Sequence, residues 1–225
     1  MDVKRLFDTG AHFAQVKSRR HPSMKPYLAG TKGRQEIIDL AKTVEQLKAA
    51  KAVMETLAKE GKTTLFVGGK VEISALVKKA AQDINAPYVA ARWLGGTISN
   101  WNEIKKRVDR LAELTEKEAT GALVKQHTKL ELVMIGREQK RLVERLDGIT
   151  TLTKRPDALL IVDTKHEKHA VKEANDAGIP IIAIMSSDCD FREAAYPIVA
   201  NDTSRETVRL VLAELVDAFK KGQAA

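Results

Sequence analysis

Three groups of residues in this chain are candidates for ligand binding or catalysis, because of their side chains and their spacing. The first is the run Arg92-Trp93-Leu94-Gly95-Gly96, in which a cation and an indole precede a glycine turn. A guanidinium pairs with phosphates, an indole stacks on bases and glycines allow close backbone approach, so this combination suits RNA. The alternative is that Trp93 only packs beside the turn, which is the more common role of a tryptophan there.

The second group is Gly68-Gly69-Lys70, which follows an apolar strand pattern and precedes a helical one. Phosphate-binding proteins place glycines at such turns, because helix N-termini attract anions. The chain has neither the complete Walker A spacing nor the Gly-x-Gly-x-x-Gly pattern, so a tight turn is the simpler interpretation. A nucleotide-dependent α/β enzyme therefore stands as an alternative function.

The third group contains candidates for nucleophilic catalysis or metal binding, namely Asp163, His166, His169, Asp188, Cys189 and Asp190. A cysteine, a histidine and an aspartate could form a nucleophilic site at the carboxyl ends of parallel strands. A lone cysteine after an apolar strand is usually a small buried residue, and the two histidines lack a clear third metal ligand. We therefore predict no catalytic residue, no metal site and no cofactor.

The distribution of charge indicates an anionic partner. The 225 residues carry a net charge of +8, and residues 1–34 alone contain eight Lys or Arg against two Asp. Pro22, Pro26, Gly30 and Gly33 interrupt this segment, so we expect an irregular arm that is unfolded over residues 14–33 in the free protein and orders on contact with RNA. A merely solvated basic tail is the alternative.

Composition also limits the cellular compartments in which the protein is expected. The chain is 44% hydrophobic and 30% charged, and no apolar run approaches the roughly 20 residues that span a bilayer. The first residues lack the features of a signal peptide, and the single cysteine, Cys189, excludes an internal disulfide framework. We expect a cytoplasmic protein with no membrane partner and no small-molecule substrate.

Periodicity predicts the elements that position these groups. Short apolar runs predict strands at 63–67, 88–91, 158–162, 181–184 and 197–200. Helical patterns alternate with them, at 38–60, 73–84, 168–177 and 204–221. Continuous apolar strands that alternate with helices indicate a mainly parallel sheet covered on both faces. We predict a doubly wound, flavodoxin-like α/β domain over residues 37–100 and 150–225.

The stretch 101–149 is too long and too charged for an ordinary crossover between strands. Apolar residues recur at helical spacing before and after Gly121, which predicts two antiparallel helices, a coiled-coil hairpin that projects from the sheet. Its outer faces are rich in Lys and Arg, partly balanced by glutamates. A basic coiled-coil adaptor for acidic proteins is thus a further alternative, and a simply solvated face is the plainest one.

Short motifs along the whole chain resemble one family. They include Gly10-Ala11-His12-Phe13, Met24-Lys25-Pro26-Tyr27, Leu65-Phe66-Val67-Gly68, Arg92-Trp93-Leu94-Gly95-Gly96-Thr97, Pro156-Asp157, Gly178-Ile179-Pro180, Tyr196-Pro197-Ile198 and Asn201-Asp202. Each motif is weak alone, but their shared order is specific. The chain resembles the bacterial small-subunit ribosomal protein S-two family.

The resemblance implies a noncatalytic component of the small ribosomal subunit that takes part in translation. It would bind ribosomal RNA near the junction of head and body, lie among neighbouring small-subunit proteins and support docking of the S-one protein. With the basic residues of the arm and hairpin, it predicts RNA contacts by Lys17, Arg19, Arg20, His21, Lys25, Lys32, Arg34, Lys70, Arg92, Trp93, Lys105, Lys106, Arg107 and Arg110. Such proteins recognise RNA shape and backbone rather than base sequence.

The sequence also departs from the family pattern. The usual His-Phe-Gly-His reads His12-Phe13-Ala14-Gln15, and Arg20 stands where a tryptophan commonly follows the basic pair. Ser186-Ser187-Asp188 replaces the usual Asp-Thr-Asn, and Ala195 replaces an aspartate before Tyr196. These changes put in doubt whether every contact of the arm is kept.

Overall fold

The computed structural model of the chain describes residues 2–121 and 128–224, which form a mixed α/β fold. In chain order the elements are α1 (Val3–Asp8), β1 (Phe13–Val16), β2 (Leu28–Lys32), β3 (Gln35–Ile38), α2 (Leu40–Lys59), β4 (Thr64–Val67), α3 (Val71–Gln82), β5 (Tyr88–Val89), α4 (Trp101–Ala119), α5 (Lys129–Leu146), β6 (Ala158–Val162), α6 (Lys168–Asp176), β7 (Ile181–Met185), β8 (Tyr196–Val199) and α7 (Arg205–Gln223). Among the described residues, no helix has both the length and the apolar character needed to cross a membrane.

The main sheet is parallel and has five strands in the order β5-β4-β6-β7-β8. Every residue of β4, β6 and β7 is buried, as expected for strands covered on both faces. The strand order is that of flavodoxin-like sheets, in which the direction of winding reverses between the first and third strands, here β4 and β6. The predicted doubly wound α/β class is confirmed.

Alternate residues of the strands point to two separate hydrophobic layers. Phe66, Leu160 and Ile184 pack against α2, α3 and α7 on one face. On the other face, Leu65 and Ile161 pack with residues of α6, α4 and the end of α5. Because the side chains of a strand alternate with a period of two, one apolar run can supply both layers.

Residues 13–38 form a second sheet, which corrects the expectation of an irregular arm. It is antiparallel, with the strand order β1-β3-β2. The segment buries Met24 completely and pairs the buried carboxylate of Glu36 with Arg20, at 2.8 Å between Oε1 and Nη1. These interior contacts favour folding without RNA, because they remove apolar surface from water and give the buried carboxylate a counter-charge at Oε1, although its Oε2 has no hydrogen-bond partner among the described residues.

The N-terminal sheet is attached to the α/β domain. The backbone N–H of His21 donates to the carbonyl of Ser187 at 2.8 Å, and the N–H of Phe191 donates to Ser23 Oγ at 3.0 Å. The Tyr27 and Phe191 rings stack with their centroids 4.2 Å apart. The N-terminal segment is thus held at the end of the main sheet from which β7 leads into residues 186–191.

The inserted stretch contains the two long helices that were predicted there, α4 and α5. They pack against each other, with Gln139 Nε2 donating to Glu118 Oε2 at 2.7 Å. Trp101, Ile104 and Leu111 of α4 join the same hydrophobic layer as Leu146 of α5. The connection at 122–127 lies outside the described residues, and the coiled-coil geometry of the pair stays a prediction.

Candidate nucleic-acid interface

One end of the N-terminal sheet carries four cations, Lys17, Arg19, Lys32 and Arg34, which we name the basic tip. Lys32 and Arg34 flank Gly33, whose φ of +65° closes the turn between β2 and β3. The N–H of Lys17 donates to the Arg34 carbonyl at 3.2 Å, so the 3-10 turn Lys17–Arg19 lies beside that turn. All four residues are exposed. The fold thus gathers charges that are separated in the sequence.

The other cations predicted for this segment have different surroundings. Arg20 is held by its ion pair with the buried Glu36. His21 Nδ1 lies 2.7 Å from Ser23 Oγ and 3.6 Å from Asp190 Oδ1. Lys25 is exposed. Arg20 therefore stabilises the sheet that presents the basic tip, whereas Lys25 is an exposed cation that precedes β2 and lies outside the basic tip.

The Arg92-Trp93 run is organised by a carboxylate from another element. Trp93 is only 6% exposed, and its Nε1–H donates to Glu173 Oε1 of α6 at 3.2 Å. The same carboxylate accepts the backbone N–H groups of Gly96 at 2.8 Å and Ile98 at 3.1 Å. Burial alone would raise the pKa of Glu173, but these donors outweigh it and lower the pKa. Trp93 is thus held inside the protein, while Arg92 is exposed.

Lys70 lies in a partly buried ion-pair cluster at the carboxyl end of the sheet. Its Nζ is 2.5 Å from Asp163 Oδ2 and 3.4 Å from Asp202 Oδ2. Desolvation alone would lower the pKa of Lys70, but the two carboxylates outweigh it and raise the pKa. Burial raises the pKa of Asp202 to about 6, whereas Asp163, also opposed by burial, has a lowered pKa because Lys70 bonds to it. The ammonium that we predicted to contact RNA therefore balances two internal carboxylates.

The Gly68-Gly69 turn is a site of close packing. A Cβ atom at Gly69 would lie 2.7 Å from the carbonyl oxygen of Ala91, which explains why a glycine stands there. The N–H of Gly69 donates to Glu167 Oε1 at 2.9 Å. An internal carboxylate therefore takes the backbone donor that a phosphate would use. This arrangement disfavours the nucleotide-binding alternative.

The structure brings together part of the predicted nucleophile group. Ligand-type atoms of Asp163, Cys189 and Asp202 lie within 4.8 Å of one another, a grouping that could hold a metal ion. Cys189 Sγ is 3.6 Å from Asp163 Oδ1, and burial raises the pKa of the thiol to about 12. The sulfur is thus an unreactive thiol at neutral pH. A cation at this place would compete with the Lys70 ammonium for both carboxylates.

The remaining candidates of that group are engaged elsewhere or face solvent. His166 Nδ1 lies 2.8 Å from Glu167 Oε1, and Asp188 Oδ2 accepts a hydrogen bond from Lys165 Nζ at 3.0 Å. His169 is exposed. Asp188 Oδ1 also accepts a hydrogen bond from Cys189 Sγ at 4.0 Å, but among the described residues neither histidine forms a hydrogen bond with Cys189, so no nucleophilic triad is formed.

The predicted RNA-binding cations of α4 are Lys105, Lys106, Arg107 and Arg110. Two of them lie toward α5: Arg107 lines the groove between the helices, and Arg110 Nε is 3.5 Å from Glu138 Oε1. Lys106 Nζ is 2.6 Å from Glu103 Oε1, and Arg110 Nη1 is 2.9 Å from Glu113 Oε2. Lys105 and Arg107 are exposed. Exposed ion pairs of this kind contribute little to stability, so a phosphate can replace the glutamates at little cost.

The comparison with known protein families shows which family the chain belongs to. Residues 6–222 match the family model described as ribosomal protein S2. The chain belongs to that family. The S2 family is a structural, non-enzymatic family of the small ribosomal subunit, so the predicted absence of enzymatic activity is confirmed.

Individual S2 relatives agree over nearly the whole chain. The small ribosomal subunit protein uS2 of Wolinella succinogenes is 38% identical over 222 residues, which cover 99% of this chain and 82% of the relative. The uS2 protein of Dictyoglomus thermophilum is 39% identical over 98% of this chain and 89% of its own length. The uS2 protein of Kocuria rhizophila is also 39% identical, over 98% of this chain and 77% of its own length.

Membership of the S2 family gives the chain a role in translation and a place on the ribosome in the cytoplasm. It also implies RNA binding, which agrees with the exposed charge of the basic tip. Two carboxylates of the candidate interface were missed by the sequence analysis. Glu36 pairs with Arg20 in the N-terminal sheet, and Glu173 accepts the hydrogen bonds of the Trp93 loop. Their partners are distant in sequence, and an acidic residue in a basic chain gives no pattern that marks it as interior.

Proposed function

We propose that this S2 family member binds small-subunit ribosomal RNA through the basic tip, Lys25, Arg92 and the four predicted cations of α4. The observation that carries the proposal is the basic tip itself, in which four exposed cations lie on two adjacent turns joined by a backbone hydrogen bond. A fixed group of Lys and Arg neutralises neighbouring phosphates and releases counterions without a large ordering cost.

The proposal gives the other predicted contact residues a supporting role. Arg20, Lys70 and Trp93 are bound to internal carboxylates, so they hold the surfaces in place. We propose a corresponding division of the chain, with the α/β domain (37–100 and 150–225) as the support. Residues 1–36 and the hairpin 101–149 then reach separate parts of a folded RNA, near the junction of head and body.

Charge reversal at the tip tests this proposal. Lys32→Glu/Arg34→Glu in the full chain is expected to weaken binding to purified small-subunit ribosomal RNA by at least about tenfold at moderate salt. The slope of log affinity against log salt should fall by about two, since each phosphate contact contributes roughly 0.9. Filter binding over a salt series measures both quantities.

Lys220→Glu/Lys221→Glu is the matched control, because it changes the charge equally at two exposed residues near the end of α7. This variant should keep the salt slope of the unmodified chain. Equal weakening by the two variants would show that total charge, rather than the basic tip, drives binding. A tip variant that binds as tightly as the unmodified chain would contradict the proposal outright.

We further propose that the chain supports docking of the S-one protein on the small subunit. This part rests on family membership alone. Small subunits that lack this chain should carry less S-one protein after sedimentation than complete subunits, and equal amounts would contradict it.

A further inference from the structure

A groove between α4 and α5 is a second surface with its own chemistry. It has a volume of about 480 Å³, and its lining includes Leu94, Arg107 and residues of α5 between Met134 and Leu146. Among these, Leu142 and Leu146 are the more buried, whereas the arginines are exposed. The groove therefore has an apolar base and a cationic rim.

The exposed stripe of α5 continues the groove. Leu130, Met134, Arg137, Arg141 and Arg145 recur every three or four residues, so they share one face of the helix. Leu130 is 72% exposed and Met134 is 62% exposed, which is high for large apolar side chains. The stripe is roughly 22 Å long, with an apolar half and a cationic half.

We propose that this groove is the docking site for an acidic amphipathic helix of a partner protein. Helices bind such grooves by placing apolar side chains every three or four residues along one face. Four arginines line the groove against one glutamate, Glu138, so a partner with Asp or Glu at the same spacing is complementary in charge. This inference goes beyond RNA binding. It rests on the three arginines of α5, because Arg107 is also part of the proposed RNA-binding surface.

The apolar residues decide between a protein and a nucleic acid as the occupant. Phosphates would pair with Arg137, Arg141 and Arg145 but would leave Leu130 and Met134 uncovered. An amphipathic helix of about 16 residues matches the length of the stripe and covers both halves. Covering the two apolar side chains adds a favourable term that does not depend on salt.

The test uses the full chain and a labelled synthetic peptide of about 16 residues, with glutamates over one half of its helical face and leucines over the other. Arg137→Glu/Arg141→Glu should weaken peptide binding by about tenfold or more, measured by fluorescence anisotropy. Lys129→Glu/Lys140→Glu is the matched control, because both exposed lysines lie on α5 but away from the stripe. We expect the control to change the affinity by less than about twofold.

A second variant separates the two kinds of occupant. Met134→Gln should weaken peptide binding by about threefold and leave the binding of a short RNA duplex unchanged. Equal effects of the two double variants, or equal binding of a peptide with the same composition in scrambled order, would overturn the proposal. So would a Met134→Gln variant that keeps full peptide affinity while the Arg137→Glu/Arg141→Glu variant loses mainly RNA duplex binding.

Discussion

Glu173→Gln is expected to lower the free energy of unfolding by about 2 to 4 kcal/mol. The Glu173 carboxylate accepts hydrogen bonds from Trp93 Nε1, from the backbone N–H groups of Gly96, Ile98 and Ser99, and from Ser99 Oγ. A glutamine keeps one oxygen but turns an NH₂ group toward these donors. Chemical denaturation that is followed by tryptophan fluorescence measures the loss.

Glu116→Gln is the control, because it removes one carboxylate from an exposed position of α4. It should change the free energy of unfolding by less than about 0.5 kcal/mol. If Glu173→Gln were as mild as this control, Glu173 would not organise the Trp93 loop.

The loss in Glu173→Gln should also depend on pH. The pKa of Glu173 is lower in the folded protein than in the unfolded chain, so the ionised carboxylate stabilises the fold above the unfolded pKa. This stabilisation disappears as the pH falls through the folded pKa.

Lys70→Met is expected to destabilise the chain by about 3 to 5 kcal/mol at neutral pH. The substitution keeps much of the side-chain volume but leaves the carboxylates of Asp163 and Asp202 without their counter-charge. Adding Asp202→Asn should restore part of the loss, because it removes one of the two unbalanced charges. Urea denaturation of the single and double variants measures the loss and its recovery.

The pH dependence separates this charge effect from a packing effect. Asp202 has a folded pKa of about 6, above its ordinary value of 3.8, so the stability that its protonated form gives is complete below about pH 4 and is lost as the pH rises through 6. Removing Lys70 raises the pKa of Asp202 further and removes the main cause that lowers the pKa of Asp163. The deficit of Lys70→Met should therefore be larger at pH 8 than at pH 5, and an equal deficit at both values would contradict the charge explanation.

The parallel sheet could be predicted because its strands are local apolar runs. Ala158–Val162 and Ile181–Met185 are continuous in the sequence and buried on both faces in the structure. The helix patterns around them have long, regular periods, so α2 and α7 were also predicted within a few residues. In such elements the pattern of buried apolar residues determines whether a strand or a helix forms, and this pattern can be recognised in the sequence.

The N-terminal sheet and the loop contacts could not be predicted in this way. β2 is Leu28–Lys32, a strand that is almost entirely exposed, and its pairing depends on a turn at Gly33 and on the Arg20–Glu36 ion pair. Glu173 reaches residues that lie 74 to 80 positions earlier in the chain. Such contacts depend on the tertiary fold, so neither local propensity nor charge density indicates them.

The Arg20 position illustrates how a departure from the family pattern acquires a physical reason. The arginine stands where a tryptophan is common, and here it forms an ion pair with the buried Glu36. The N-terminal segment is thus held at this position by an ion pair. The exposed basic tip thus lies on a folded sheet in the structure, and the order of this segment in the free protein stays a prediction for hydrogen exchange to test.

Sedimentation of the tagged full chain from a mildly prepared cell lysate tests whether ribosomal RNA holds this chain on the small subunit. We expect the chain to travel with small ribosomal subunits at low salt and to be released by nuclease or by high salt. A chain that stays at the top of the gradient under all these conditions would contradict it.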